Sequence, residues 1–154
     1  MLERWKPVTS RIISTPDARS AAQLDAVLAQ FHVESNPRYR PGGGVTWCNI
    51  FTWDWSLAMG AEIPHWVDGK ETTANILAGW LAAHWTEHGP RDAQEEANAG
   101  RPCVAVAVNR AGPGHIAPVR PGEWKPGGPW VCNVGARNVG RSLTAARFGR
   151  LEPR

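Results

Sequence analysis

The chain has 154 residues, 42% of them hydrophobic, and 17 basic against 14 acidic side chains give a formal charge of +3. That length fits one domain with a sizeable core. The mild positive balance suits an anionic partner but is far from the basic patch of a nucleic-acid binder, and no stretch is long and apolar enough to span a membrane.

Residues 1 to about 14 read as a loosely structured lead-in. Thr15-Pro16-Asp17 then reads as a helix start, with Thr15 as cap and Pro16 in the first turn. Ala21, Leu24, Val27, Leu28 and Phe31 share one face, which predicts a helix over 16–31. Residues 34–44 form a loop ending in Pro41-Gly42-Gly43-Gly44. A second helix is expected over 47–59, capped by Thr46, burying Ile50, Phe51, Trp55 and Ala58, and stopped at Gly60. A third, over 73–87 with Thr72 as cap, turns Ile76, Leu77, Trp80, Leu81 and Trp85 inward. A fourth is expected over 92–99, ending at Gly100.

The pattern then changes. Pro102 to Val108 is a continuous apolar run, which suggests a strand covered on both faces. After the turn Gly112-Pro113-Gly114, His115 to Arg120 reads as a second strand, and Trp130 to Val134 as a third. Helices first and strands later predict an α+β fold, N-terminal helices packed on a small antiparallel sheet.

Three cysteines cannot all pair within the chain, and no Cys-x-x-Cys zinc spacing is present. They read as free thiols, made in a reducing compartment. Cys103 and Cys132 fall inside apolar strands and read as core. Cys48 stands at the start of the second helix, where the positive end of the helix dipole favours the thiolate, the form that attacks a carbonyl. His115 at a strand entrance supplies the imidazole that takes the thiol proton and later protonates a leaving amine. Asn133 on the neighbouring strand is the first choice to orient the ring, because an amide oxygen accepts a ring N–H; Asn138, beyond the strand, is the second. Backbone N–H groups at the helix start are candidates for an oxyanion hole.

Tyr39 to Trp66, containing Thr46-Trp47-Cys48-Asn49-Ile50-Phe51-Thr52-Trp53-Asp54-Trp55, resembles the catalytic helix of small papain-like cell-wall hydrolases. These are the cysteine, histidine-dependent amidohydrolase/peptidase group of phage lysins and tail-associated lysins. Gly112 to Gly122 and Val131 to Asn138 resemble the histidine strand of that group and the strand after it. The resemblance covers about residues 35–150. It implies a papain-like fold and cleavage of amide bonds in peptidoglycan, in the stem peptide or between sugar and peptide. Cys48 would be the nucleophile and His115 the base. Two positions depart from the pattern: Asn133 stands where relatives often carry Gln, and Pro118 where an aliphatic residue is usual. Pro118 removes a ladder N–H, so its strand must be an edge or carry a bulge.

No cofactor is implied; calcium assists some relatives, but no Asp-rich loop stands here to hold it. His84 and His88, four apart, suit a metal less well than a solvated helix end. Trp47, Trp53 and Trp66 flank the site, either lining a substrate groove with His65 or simply packing. Asp54 reads as structural and Glu62 stays ambiguous. Arg137, Arg141, Arg147 and Arg150 form a basic tail toward the C-terminus. The start, Met1 to Pro7, lacks the apolar core of a signal peptide. The expectation is therefore a monomer made in the cytoplasm that reaches the wall after release. Three other readings stay open: a hydrolase acting on another amide as a toxin or effector, a wall-binding module with an inert Cys48, and a histidine metal protein.

Overall fold

The computed structural model describes residues 3–145. Four helices precede the main strands: α1 (Ala21–Ala29), α2 (Cys48–Ala58), α3 (Ala74–His84) and α4 (Pro90–Asn98). A two-residue hairpin, β1 (Trp66–Val67) and β2 (Lys70–Glu71), lies between α2 and α3. β3 (Val104–Ala107), β4 (His115–Pro118), β5 (Trp130–Asn133) and β6 (Val139–Leu143) follow. All strand pairs are antiparallel, so the α+β class stands.

α2 is the axis of the molecule. Nine of its eleven residues are buried, more than one apolar stripe accounts for, so it is covered from every side. On one side Phe31, Tyr39 and Phe51 meet edge to face, with centroids 5.2 to 6.3 Å apart. On another side α2 packs against β4. The N-terminal segment, without helix or strand, covers a third: Val8 N–H donates to Asp54 Oδ1 (3.2 Å) and Ser14 N–H to the Ala58 carbonyl (2.8 Å).

Asp54 is fully buried and ion-paired. Its carboxylate accepts from Arg38 Nε (2.7 Å) and Nη2 (3.0 Å) and from the Tyr39 hydroxyl (2.8 Å). Arg38 also donates to the carbonyls of Glu3 (3.1 Å) and Lys6 (2.7 Å). Every charge in this cluster has a partner, as burial demands. The expected structural role of Asp54 is met by partners from the chain segments before α2, Val8, Arg38 and Tyr39.

Several element boundaries differ from the sequence expectations. The first helix is split: Pro16–Ala18 is a single 3-10 turn, and α1 starts only after Ser20, whose side chain caps Gln23 N–H. Thr15 makes no capping bond. α3 is capped by Thr73 instead of Thr72, and Thr72 is buried with its hydroxyl on the His65 carbonyl (3.1 Å). Trp85 ends α3 in extended conformation. α4 starts two residues earlier than expected, with Pro90 in its first turn. The β1–β2 hairpin turns on Asp68-Gly69, both at positive φ, a pair suited to a two-residue turn.

β3 is only half-buried along its length, not covered on both faces. Among the described residues it pairs with β4 alone, in a register that sets Val104 opposite Pro118 and Ala107 opposite His115. β3 and β4 form a two-stranded sheet, and further pairing starts only just beyond β4. Val119 N–H donates to the Cys103 carbonyl (2.8 Å), and Arg120 N–H donates the other way, to Trp130 (2.9 Å). An isolated Val119–Val131 bridge then joins β4 to β5. Pro118 has no N–H to give on the β5 side, so that pairing begins only beyond it. The expected edge is thus met, since β4 is unpaired on the Pro118 side along its length, and Ile116, two residues upstream on the same side, keeps its N–H outside the ladder.

Candidate active site

Trp47 occupies the N-cap position of α2 and its side chain makes no capping bond; Thr46 does not cap the helix either. The first N–H groups therefore stay available. Those of Cys48 and Asn49 turn to the Cys48 sulfur, which also receives the N–H of Ile116, the one left outside the ladder by Pro118. The sulfur thus sits between the helix start and the strand residue next to His115. Cys48 is only 7% exposed. Burial pushes its thiol pKa up, and the three N–H groups pull it back down. The helix start alone therefore does not deliver the expected low pKa.

His115 opens β4 after Gly114, which sits at φ +72° with no room for a Cβ: one would lie 2.6 Å from the Ala107 carbonyl oxygen and 2.5 Å from Asn75 Oδ1. Asn75, in the first turn of α3, holds the preceding turn by donating to the Asn109 (2.9 Å) and Gly112 (2.7 Å) carbonyls and accepting from Asn109 N–H (2.9 Å). The direction of entry of His115 is fixed by these bonds.

His115 Nε2 lies 2.6 Å from Asn133 Oδ1. Asn133 is buried, and its Nδ2 donates to the Arg137 carbonyl (2.8 Å), so its oxygen must face the ring. We therefore assign the N–H to Nε2, which makes Nδ1 the proton-accepting nitrogen. The β5–β6 register slips between Val131 and Asn133, a bulge of the kind that re-aims a side chain. Asn138, the second choice, holds the turn that follows β5 instead.

The other two cysteines are buried. The Cys103 thiol is pushed up to about 11 and the Cys132 thiol to about 12, both by burial first. Two surface cavities among the described residues, about 420 Å³ beside Arg19, Trp85 and Arg101 and about 210 Å³ beside Arg120 and Cys132, are lined by neither Cys48 nor His115.

The tryptophans divide. Trp53 is buried; its indole N–H donates to Glu62 (3.0 Å) and its ring stacks on His65 at 4.7 Å. Trp53 and His65 are thus packing residues; of the tryptophans expected to flank the site, Trp66, 52% exposed, and half-buried Trp47 present ring surface. Arg4 lies over the Trp47 ring at 4.0 Å. His84 stacks on Trp80 at the end of α3, and no group of three metal-binding side chains occurs among the described residues. Arg141 lies in β6 over Trp130 rather than in a tail, while Arg147 and Arg150 fall outside the described residues.

His65 gives a pH prediction. Its ring is buried; Nδ1 has no partner, and Nε2, 3.1 Å from Glu71 Oε1, is too poorly aligned for a hydrogen bond. Burial lowers its pKa, with Glu71 opposing. A depressed folded pKa means that the unfolded chain binds the proton first, so stability is full above pH about 6.5 and declines below it. The urea midpoint should therefore drop between pH 7.5 and 5.5 by less in His65→Phe, which keeps the stack on Trp53, than in the parent. Equal drops would contradict the assignment.

No protein-family profile, no curated protein and no solved structure matches this chain.

Proposed function

We propose that the protein is a cysteine-dependent hydrolase with a papain-like arrangement that cleaves amide bonds of bacterial peptidoglycan. One observation carries the chemical half of this reading: the Cys48 sulfur receives the N–H of Ile116, next in the chain to an imidazole whose Nε2 is held by Asn133. Nucleophile, base and orienting group come from one helix and two neighbouring strands, as a thiolate–imidazolium pair requires. The resemblance of Tyr39 to Trp66 to cell-wall hydrolases carries the substrate.

In the proposed reaction the Cys48 thiol passes its proton to His115 Nδ1. The thiolate attacks the amide carbonyl, and the N–H groups around the sulfur stabilise the oxyanion. The tetrahedral intermediate collapses as the imidazolium protonates the leaving amine, which leaves a thioester on Cys48. Water, deprotonated by His115, attacks the thioester; the product carboxylate departs and the thiol is restored. Trp47 and Trp66 are the aromatic surfaces proposed to meet the substrate, and no step calls for a metal or cofactor. The protein acts as a monomer on the wall after release from the cytoplasm.

Digesting purified cell walls and weighing the soluble fragments tests the reading. The expected fragments carry one new amine and one new carboxylate for each bond cut. Fragments cut only within the glycan, or none at all, would refute it. The burial of Cys48 favours a second reading, a wall-binding module with an inert thiol, under which walls would bind the protein and remain intact.

A further inference from the structure

We propose that the turn from Gly135 to Asn138 is a positioning element that sets the His115–Asn133 hydrogen bond; the proposal rests on the hydrolase reading for its consequence in catalysis. Gly135 follows β5 directly above the imidazole. A Cβ built there would stand 3.2 Å from His115 Cε1, 3.5 Å from Asn133 Nδ2 and 3.7 Å from His115 Nε2. No positive φ requires glycine at this position, so the close approach to the ring is the structural reason for it. Any side chain at 135 must push the ring, the amide or both by a few tenths of an ångström.

The turn is clamped at a distance by Asn138. Its Oδ1 accepts the Gly135 N–H (3.0 Å), and its Nδ2 donates to the carbonyls of Val33 (3.0 Å) and Tyr39 (2.7 Å). The Arg137 carbonyl, within the same turn, receives Asn133 Nδ2 and thereby fixes which end of that amide faces the ring. One four-residue turn thus sets both the depth of the ring, through the bare backbone at 135, and the orientation of its partner, through the carbonyl at 137. Neither Gly135 nor Asn138 reaches the reacting atoms, so both act through His115. The Tyr39 carbonyl ties the clamp to the segment that precedes α2, so the histidine and cysteine sides of the site share one anchor.

The test uses the full chain and needs no substrate. Cys48 alkylation by iodoacetamide is followed against pH in the parent, Gly135→Ala, Asn133→Ala and the double variant, with His115 ring resonances recorded by NMR and the fold checked by tryptophan emission. Gly135→Ala should slow alkylation at pH 7 by about tenfold and move its acid limb to higher pH, because a misplaced imidazole supports the thiolate less well. The double variant should be no slower than Asn133→Ala, since both changes act through one bond. Asn138→Asp, which keeps the acceptor and loses both donors, should shift the profile in the same direction and by less. An unchanged profile in Gly135→Ala, or effects that multiply in the double variant, would overturn the proposal. Should Cys48 of the parent react no faster than Cys103 and Cys132, the hydrolase reading falls. The ring resonances then decide this proposal alone: a shift in Gly135→Ala that goes no further in the double variant upholds it, and unmoved resonances overturn it.

Discussion

Cys48→Ala should leave purified cell walls intact under conditions in which the parent clears them, a loss of at least about a thousandfold in rate. The size follows from the mechanism. Without the sulfur no acyl-enzyme forms, and only the N–H groups and substrate binding remain to assist water. The variant should still fold, because Cys48 is a buried core residue but the change removes a single heavy atom, at a cost of about 1 kcal/mol. His115→Ala should lose comparable activity, and combining the two should cost little beyond either alone, since they act as one unit. Clearing at the parent's rate by Cys48→Ala would remove the nucleophile assignment.

The largest stability effect is expected at Asp54. Asp54→Ala strands the Arg38 guanidinium and the Tyr39 hydroxyl in the interior and releases Val8 N–H. Removing one partner of a buried, hydrogen-bonded ion pair costs ~3–5 kcal/mol. For a chain of this length that corresponds to a fall of about 10 °C or more in Tm. Tyr39→Phe removes one hydrogen bond and keeps the ring packing against Phe31 and Phe51, so about 1–2 kcal/mol is expected. Thermal melts of the three proteins check the order. A Tm for Asp54→Ala within a few degrees of the parent would show that the network does not hold the N-terminal segment on α2.

What the sequence revealed of this molecule was mostly periodic or punctuated. The apolar face of α2, its stop at Gly60 and the turn before His115 are local signals, and each appears where the residues pointed. The choice of Asn133 over Asn138 also followed from strand order, because neighbouring antiparallel strands set a side chain of one beside the other. Other features had no local signature. Arg38 and Asp54 meet across 16 positions, and nothing near either one announces a partner. β6 alternates too weakly around Gly140 and Arg141 to stand out. Ser20 competed with Thr15 as a cap and won, which a pattern of apolar residues does not reveal. The Asp68-Gly69 hairpin carries its signal in a single dipeptide, with strands of only two residues on either side to support it. The balance at Cys48 depends on burial, which composition does not report: the helix start was visible, the desolvation opposing it was not.

The rate at which iodoacetamide modifies each thiol at pH 7 tests the central claim most directly. Cys103 and Cys132, with pKa values raised to about 11 and about 12, hold almost no thiolate at that pH. A Cys48 ionised against an imidazolium should outpace both by ~100-fold or more, and His115→Ala should erase that lead. A Cys48 that labels as slowly as the other two, with or without the histidine, would contradict the account.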